Sequence, residues 1–78
     1  MSVSNIVRMA KEKKGLSQAE LAEAMGMSRQ SLANKTKRDF WTVADLIKVA
    51  EITGGKLTIL YPDGQQLLFL PDELEAEE

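Results

Sequence analysis

Residues 16–38 read LSQAELAEAMGMSRQSLANKTKR, and this stretch decides the fold. Ser17 is a residue type that caps helix N-termini, and Glu20 follows three positions later. The pair can therefore satisfy each other's free backbone donors as a capping box. The spacing predicts a second helix of the chain from about Ser17 to Met25, with Leu21, Ala22 and Met25 on one apolar face. Gly26 accepts the left-handed conformation that closes a helix at little cost. Met27 is expected as a buried plug, Ser28 as the next N-cap, and Leu32 as the return to the core one turn later. A third helix then spans about Ser28 to Lys37. Two short helices meeting at a steep angle across a turn of about 3–4 residues fit this spacing.

On the N-terminal side, Val3, Ile6, Val7 and Ala10 fall at i, i+3, i+4 and i+7, which predicts a first helix from about Ser4 to Lys14 with these residues facing inward. Gly15 closes it. Arg8, Lys11, Lys13 and Lys14 lie on its outer faces and are expected to be solvated. On the C-terminal side, Thr42 with Asp45 three positions on marks the start of a fourth helix, running to about Thr53. Its stripe is Val43, Leu46, Ile47 and Ala50, and Gly54 and Gly55 stop it. Met9, Met25 and Met27 read as core filler. Trp41, beside Phe40, reads as a lid on the junction of the third and fourth helices.

Beyond Gly55 the period changes. Residues 56–61, KLTILY, and 65–70, QQLLFL, are β-rich runs around Pro62-Asp63-Gly64, in which proline fixes the first turn dihedral and glycine accepts a positive φ. A hairpin over about residues 56–70 follows. Alternation would place Leu57, Ile59, Tyr61, Leu67 and Phe69 on one face and Leu60, Leu68 and Leu70 on the other, so both faces call for cover. An isolated two-stranded ribbon is marginal. One expectation is that a second copy covers what the helices do not, which assigns these eight residues to dimerisation. The other is a hairpin folded wholly against its own helices.

The central segment resembles the phage Cro and repressor group, the XRE-type helix-turn-helix proteins. The matching residues are Gln18 opening the second helix, Ala22 where the helices cross closely, Gly26 in the turn, Met27 beside it and Leu32 inside the third helix. The likeness covers residues 4–53. Lys35 departs from it, standing where such modules usually carry an aliphatic residue. The resemblance implies a mainly α, four-helix repressor-like domain over residues 1–71, with the C-terminal hairpin used in dimerisation as in some Cro-like proteins. It also implies that the positions of Gln18, Arg29, Gln30 and Asn34 touch double-stranded DNA.

Physical chemistry gives those residues work to do. An α-helix fits the major groove of B-DNA, so the N-terminal half of the third helix would carry the readers: Ser28, Arg29, Gln30, Ala33 and Asn34. Arginine can fork onto guanine, glutamine onto adenine, and a small alanine permits close approach to a thymine methyl. Phosphate contacts would come from Ser17 and Gln18 at the positive N-terminus of the second helix, and from Lys35, Lys37 and Arg38 beside the groove.

Composition sets the outer bounds. The 78 residues suit one small domain, near the size at which a single core is only marginally stable. There is no cysteine and no histidine, which excludes disulfides, Cys/His zinc sites and Ser-His or Cys-His nucleophilic arrangements. The expectation is a protein that is not an enzyme and needs no metal or cofactor. No apolar run resembles a signal peptide or approaches the length of a membrane span, so a cytoplasmic protein without a membrane partner is expected. The formal net charge is −2, but residues 72–78, DELEAEE, hold five of the twelve acids. Residues 1–71 therefore carry seven acids against ten bases, a formal +3. The tail is expected to be disordered and solubilising, or to compete with phosphate for the basic face. The function anticipated is sequence-specific transcriptional regulation, most simply repression by a homodimer on a palindromic operator, as in a phage or prophage regulator. The alternatives are an antitoxin-like autoregulator with a small protein partner, and a protein-interaction module that has lost DNA binding.

Overall fold

Every helix begins where a hydroxyl side chain stands ready to cap it. Ser2, Ser17, Ser28 and Thr42 accept the backbone N–H of Asn5, Glu20, Ser31 and Asp45, each at 3.0–3.1 Å. The computed structural model describes residues 2–70 and places α1 at Val3–Lys14, α2 at Gln18–Met25, α3 at Arg29–Arg38 and α4 at Val43–Ile52. Strands β1, Leu57–Leu60, and β2, Gln66–Phe69, follow as an antiparallel hairpin. This is the mainly helical architecture with a C-terminal hairpin that the sequence led us to expect. The acidic tail, residues 72–78, lies outside the described residues.

The expected capping box at Ser17 forms, and the Thr42 cap proves to be a second one, closed by Asp45. Glu20 Oε1 accepts the Ser17 N–H at 2.8 Å, and Asp45 Oδ2 accepts the Thr42 N–H at 3.0 Å. Gly26 adopts φ +76, and its N–H returns to α2 while Met27 N–H bonds the Ala22 carbonyl at 3.0 Å. That closed turn leads directly into α3, which packs against α2. Helix α1 starts one residue earlier than expected, because Ser2 and not Ser4 is its cap.

The helical core is small: Val7, Leu21, Ala22, Met25, Leu32 and Val49 are buried, with Ala10, Leu16, Met27, Trp41, Leu46 and Ile52 packed around them. Two stripes differ from their sequence reading. In α1 only Val7 is buried, while Val3 and Ile6 remain 37% and 47% exposed. In α4 Val43 is exposed, whereas Ile47 and Val49 are both buried. Those two point in nearly opposite directions on a helix. The reason is that α4 has two partners: Val49 joins the helical core, and Ile47 lines a crevice under the hairpin with Ala50, Leu57, Phe69 and Leu70.

The hairpin register pairs Leu57 with Phe69, Thr58 with Leu68, Ile59 with Leu67 and Leu60 with Gln66. It is closed by a turn in which Gly64 N–H bonds the Tyr61 carbonyl at 2.9 Å with Gly64 at φ +92. Only its root is covered: Leu57 and Phe69 are half-buried against α4, and the remaining apolar residues of both faces are exposed. The hairpin is thus not folded wholly against its own helices.

Candidate nucleic-acid interface

Capping at Ser28 fixes where the exposed face of α3 begins. Arg29, Gln30, Ala33 and Asn34 follow and are all exposed. Arg29, Gln30 and Ala33 share a shallow open cleft with Gln18 from the first turn of α2, so two helices contribute to one surface. Gln30 Nε2 donates to Asn34 Oδ1 at 3.3 Å. This contact uses one of the two amide hydrogens of Gln30 and leaves the other, with the carbonyl oxygen, facing outward as a donor and acceptor pair.

The two serines at the helix starts are already committed locally. Ser17 Oγ is occupied by its capping box, and Ser28 Oγ both accepts from the Ser31 backbone and donates to Ser31 Oγ at 3.0 Å. Gln18 follows Ser17 at the positive end of the α2 dipole. Lys37 and Arg38 are exposed in the last turn of α3, and no ion pair among the described residues engages them or Arg29.

Lys35 is the position where the structure departs most from the sequence reading. Its Nζ lies 2.8 Å from Asp45 Oδ2, with the two side chains only 24% and 16% exposed, and 5.9 Å from the centroid of the Phe40 ring. Burial raises the Asp45 carboxyl pKa, but the hydrogen bond from Lys35, the Thr42 backbone N–H and the Lys35 charge outweigh it, so the net shift is downward. The lysine therefore occupies an inward position and brings its own counter-ion from α4. Its amine faces protein, unlike those of the solvent-facing bases around it.

A second set of contacts, not anticipated from sequence, holds the far end of α3. The Ser4 N–H donates to Asp39 Oδ1 at 2.7 Å, Ser4 Oγ donates to the Thr36 carbonyl at 2.9 Å, and Trp41 Nε1 donates to Ser4 Oγ at 3.0 Å. Asp39 ends α3 in the left-handed conformation at φ +55, which aspartate tolerates better than most residues. The first turn of α1 is thereby tied to the last turn of α3. Trp41 packs against the core as a lid, and its indole N–H reaches across to α1. A cue existed in the sequence, since an aspartate directly after a basic helix end is a plausible cap, but its partner 35 residues away was not readable.

No group of metal-ligating side chains occurs among the described residues, and no described helix is long and apolar enough to cross a membrane. Residues 7–34 match the helix-turn-helix family model, covering most of α1, all of α2, the turn and the N-terminal half of α3. No curated protein and no solved structure matches the chain. The matched residues coincide with the turn and the exposed α3 face described above, so this segment of the chain is similar to the helix-turn-helix family of the Cro/repressor (XRE) type, a likeness that supports a DNA-binding transcription regulator.

Proposed function

We propose that the protein is a sequence-specific repressor in the cytoplasm, binding a palindromic operator as a homodimer with α3 in the major groove. The observation that carries this reading is the row Arg29, Gln30, Ala33 and Asn34 on the exposed face of α3, joined by Gln18. Arg29 would fork onto guanine and Gln30 onto adenine, while Ala33 allows close approach. Gln18, Lys37 and Arg38 would hold phosphates and set register. Ser17 and Ser28 act in this reading through the backbone N–H groups they orient. Lys35 is left out of the phosphate set because Asp45 holds its charge.

The homodimer is supported by the hairpin, whose two faces carry exposed Ile59, Leu60, Tyr61, Leu67, Leu68 and Leu70. Two copies would place their reading helices on half-sites about 34–36 Å apart. The same uncovered hairpin is what favours a second reading, an antitoxin-like autoregulator whose hairpin binds a different small protein.

Selection from a random double-stranded DNA library at about 50 and 200 mM salt, followed by sequencing, tests the proposal. A palindromic motif whose affinity falls steeply with salt and is lost in Arg29→Ala supports it. Recovery of a non-palindromic site argues against the homodimer, and no enrichment at either salt would leave a protein-interaction module.

A further inference from the structure

Helices α1 and α4 do not close on each other along their whole length. Between them runs an open groove of about 420 Å³, floored by Val7 and Val49, walled by Ile6, Ala10 and Leu46, and ended by Leu57 at the root of the hairpin. Val3 and Ile6, expected in the core, are instead on its rim. An enclosed apolar cavity of about 150 Å³ accepts benzene, so this groove has room for roughly two aliphatic side chains.

The hairpin supplies a matching protrusion. Leu57, Ile59, Leu67 and Phe69 share one face by register, and only Leu57 and Phe69 are partly covered. Ile59 and Leu67, 44% and 45% exposed, pair with each other further out along the ribbon. Between Lys56 and Leu70 the only charged residue is Asp63 at the turn, the depletion of charge expected at the centre of an interface. Lys13 and Lys56 sit at the edge of the groove, as polar rims do.

We propose that a second copy of this chain fills the groove: Ile59 and Leu67 of each protomer's hairpin seat between α1 and α4 of the other. The inference rests on the homodimer proposed above and gives it a geometry. A two-fold interface must be self-complementary, and one continuous surface that holds both a groove and a protrusion meets that requirement. Standard interfaces bury roughly 800 Å² per partner, so the proposed contact enlists the groove together with a hairpin of two four-residue strands.

The chain contains no cysteine, so introduced thiols report contacts without background. Ile6→Cys protein is mixed with Leu67→Cys protein, oxidised mildly, and the cross-linked species are identified by mass spectrometry. The expected product joins the two variants, and Ile6→Glu or Val3→Glu weakens the dimer at least tenfold by analytical ultracentrifugation with unchanged helical circular dichroism. A wild-type protein that is monomeric at about 100 μM overturns the homodimer and this geometry together. A dimer that forms normally in Ile6→Glu and cross-links only through Leu60→Cys pairs overturns the groove alone. A cross-link from Ile6→Cys to Leu74→Cys within one chain assigns the groove to the chain's own tail and overturns the proposal.

Discussion

The Ser4 backbone N–H and the Asp39 carboxylate meet at 2.7 Å, joining the first turn of α1 to the residue that ends α3. Asp39 is held below the ordinary carboxylate range first by that backbone hydrogen bond and then by the Ser4 side chain. A carboxylate whose folded pKa is depressed contributes stability above its unfolded value, about 3.9, and loses it as pH falls through the lower folded value. Asp39→Asn keeps the left-handed preference and an acceptor but not the charge. Wild type should therefore be more stable than Asp39→Asn at pH 7, and the gap in thermal midpoint should close below about pH 4. A gap of the same size at every pH, with no narrowing in the acid range, would show that the charge contributes nothing.

Lys35 and Asp45 should respond unequally to removal. Asp45→Ala loses the carboxylate that accepts the Thr42 backbone N–H in the α4 capping box and leaves a half-buried ammonium without its partner, for an expected cost of about 2–3 kcal/mol. Lys35→Met leaves Asp45 bonded to Thr42, restores an apolar side chain at an inward position, and should cost less than about 1 kcal/mol. Denaturant unfolding of both variants and of the double variant measures the order. Equal costs would mean that the cap contributes little and the ion pair nearly everything.

Local chemistry made most of this fold legible. The capping boxes at Ser17 and Thr42, the turn at Gly26 and the Pro-Asp-Gly hairpin are all specified within about four residues, and all form. The misreadings came from long-range geometry. A periodic stripe shows that a face is apolar but not what covers it, so Val3 and Ile6 were assigned to a core that does not reach them. Ile47 and Val49 look inconsistent on one stripe and become consistent only with two partners for α4. Lys35 reads as one more base in a basic run, because its counter-ion arrives from another helix. The exposed row on α3 was readable because caps fix where a helix begins, and hence which residues follow on its first exposed turns.

At Gly26 the cost of a side chain should be purely conformational. An added Cβ would meet nothing within 4 Å, yet the residue sits at φ +76. Gly26→Ala is expected to destabilise by about 1 kcal/mol, lowering the thermal midpoint by about 4–8 °C for a domain of this size. Gly26→Asn should recover part of the loss, since asparagine visits the left-handed region more readily. An alanine variant as stable as wild type would show that the turn can relax to a different conformation.

The bases of α3 should separate by the salt dependence of DNA binding. A residue that neutralises a phosphate contributes about one unit to the slope of log affinity against log salt, whereas a base reader changes sequence preference. Lys37→Ala should weaken binding to all sequences and reduce the slope by about 1. Arg29→Ala should cost about 1–3 kcal/mol on the preferred site and relax one position of it. Lys35→Met should leave the slope unchanged, because its charge is already matched by Asp45 inside the protein. Titrations of the three variants against one operator and one scrambled duplex at four salt concentrations give all of these quantities. A slope reduced in Lys35→Met as much as in Lys37→Ala would mean that the Asp45 contact opens on DNA and releases the lysine to the backbone.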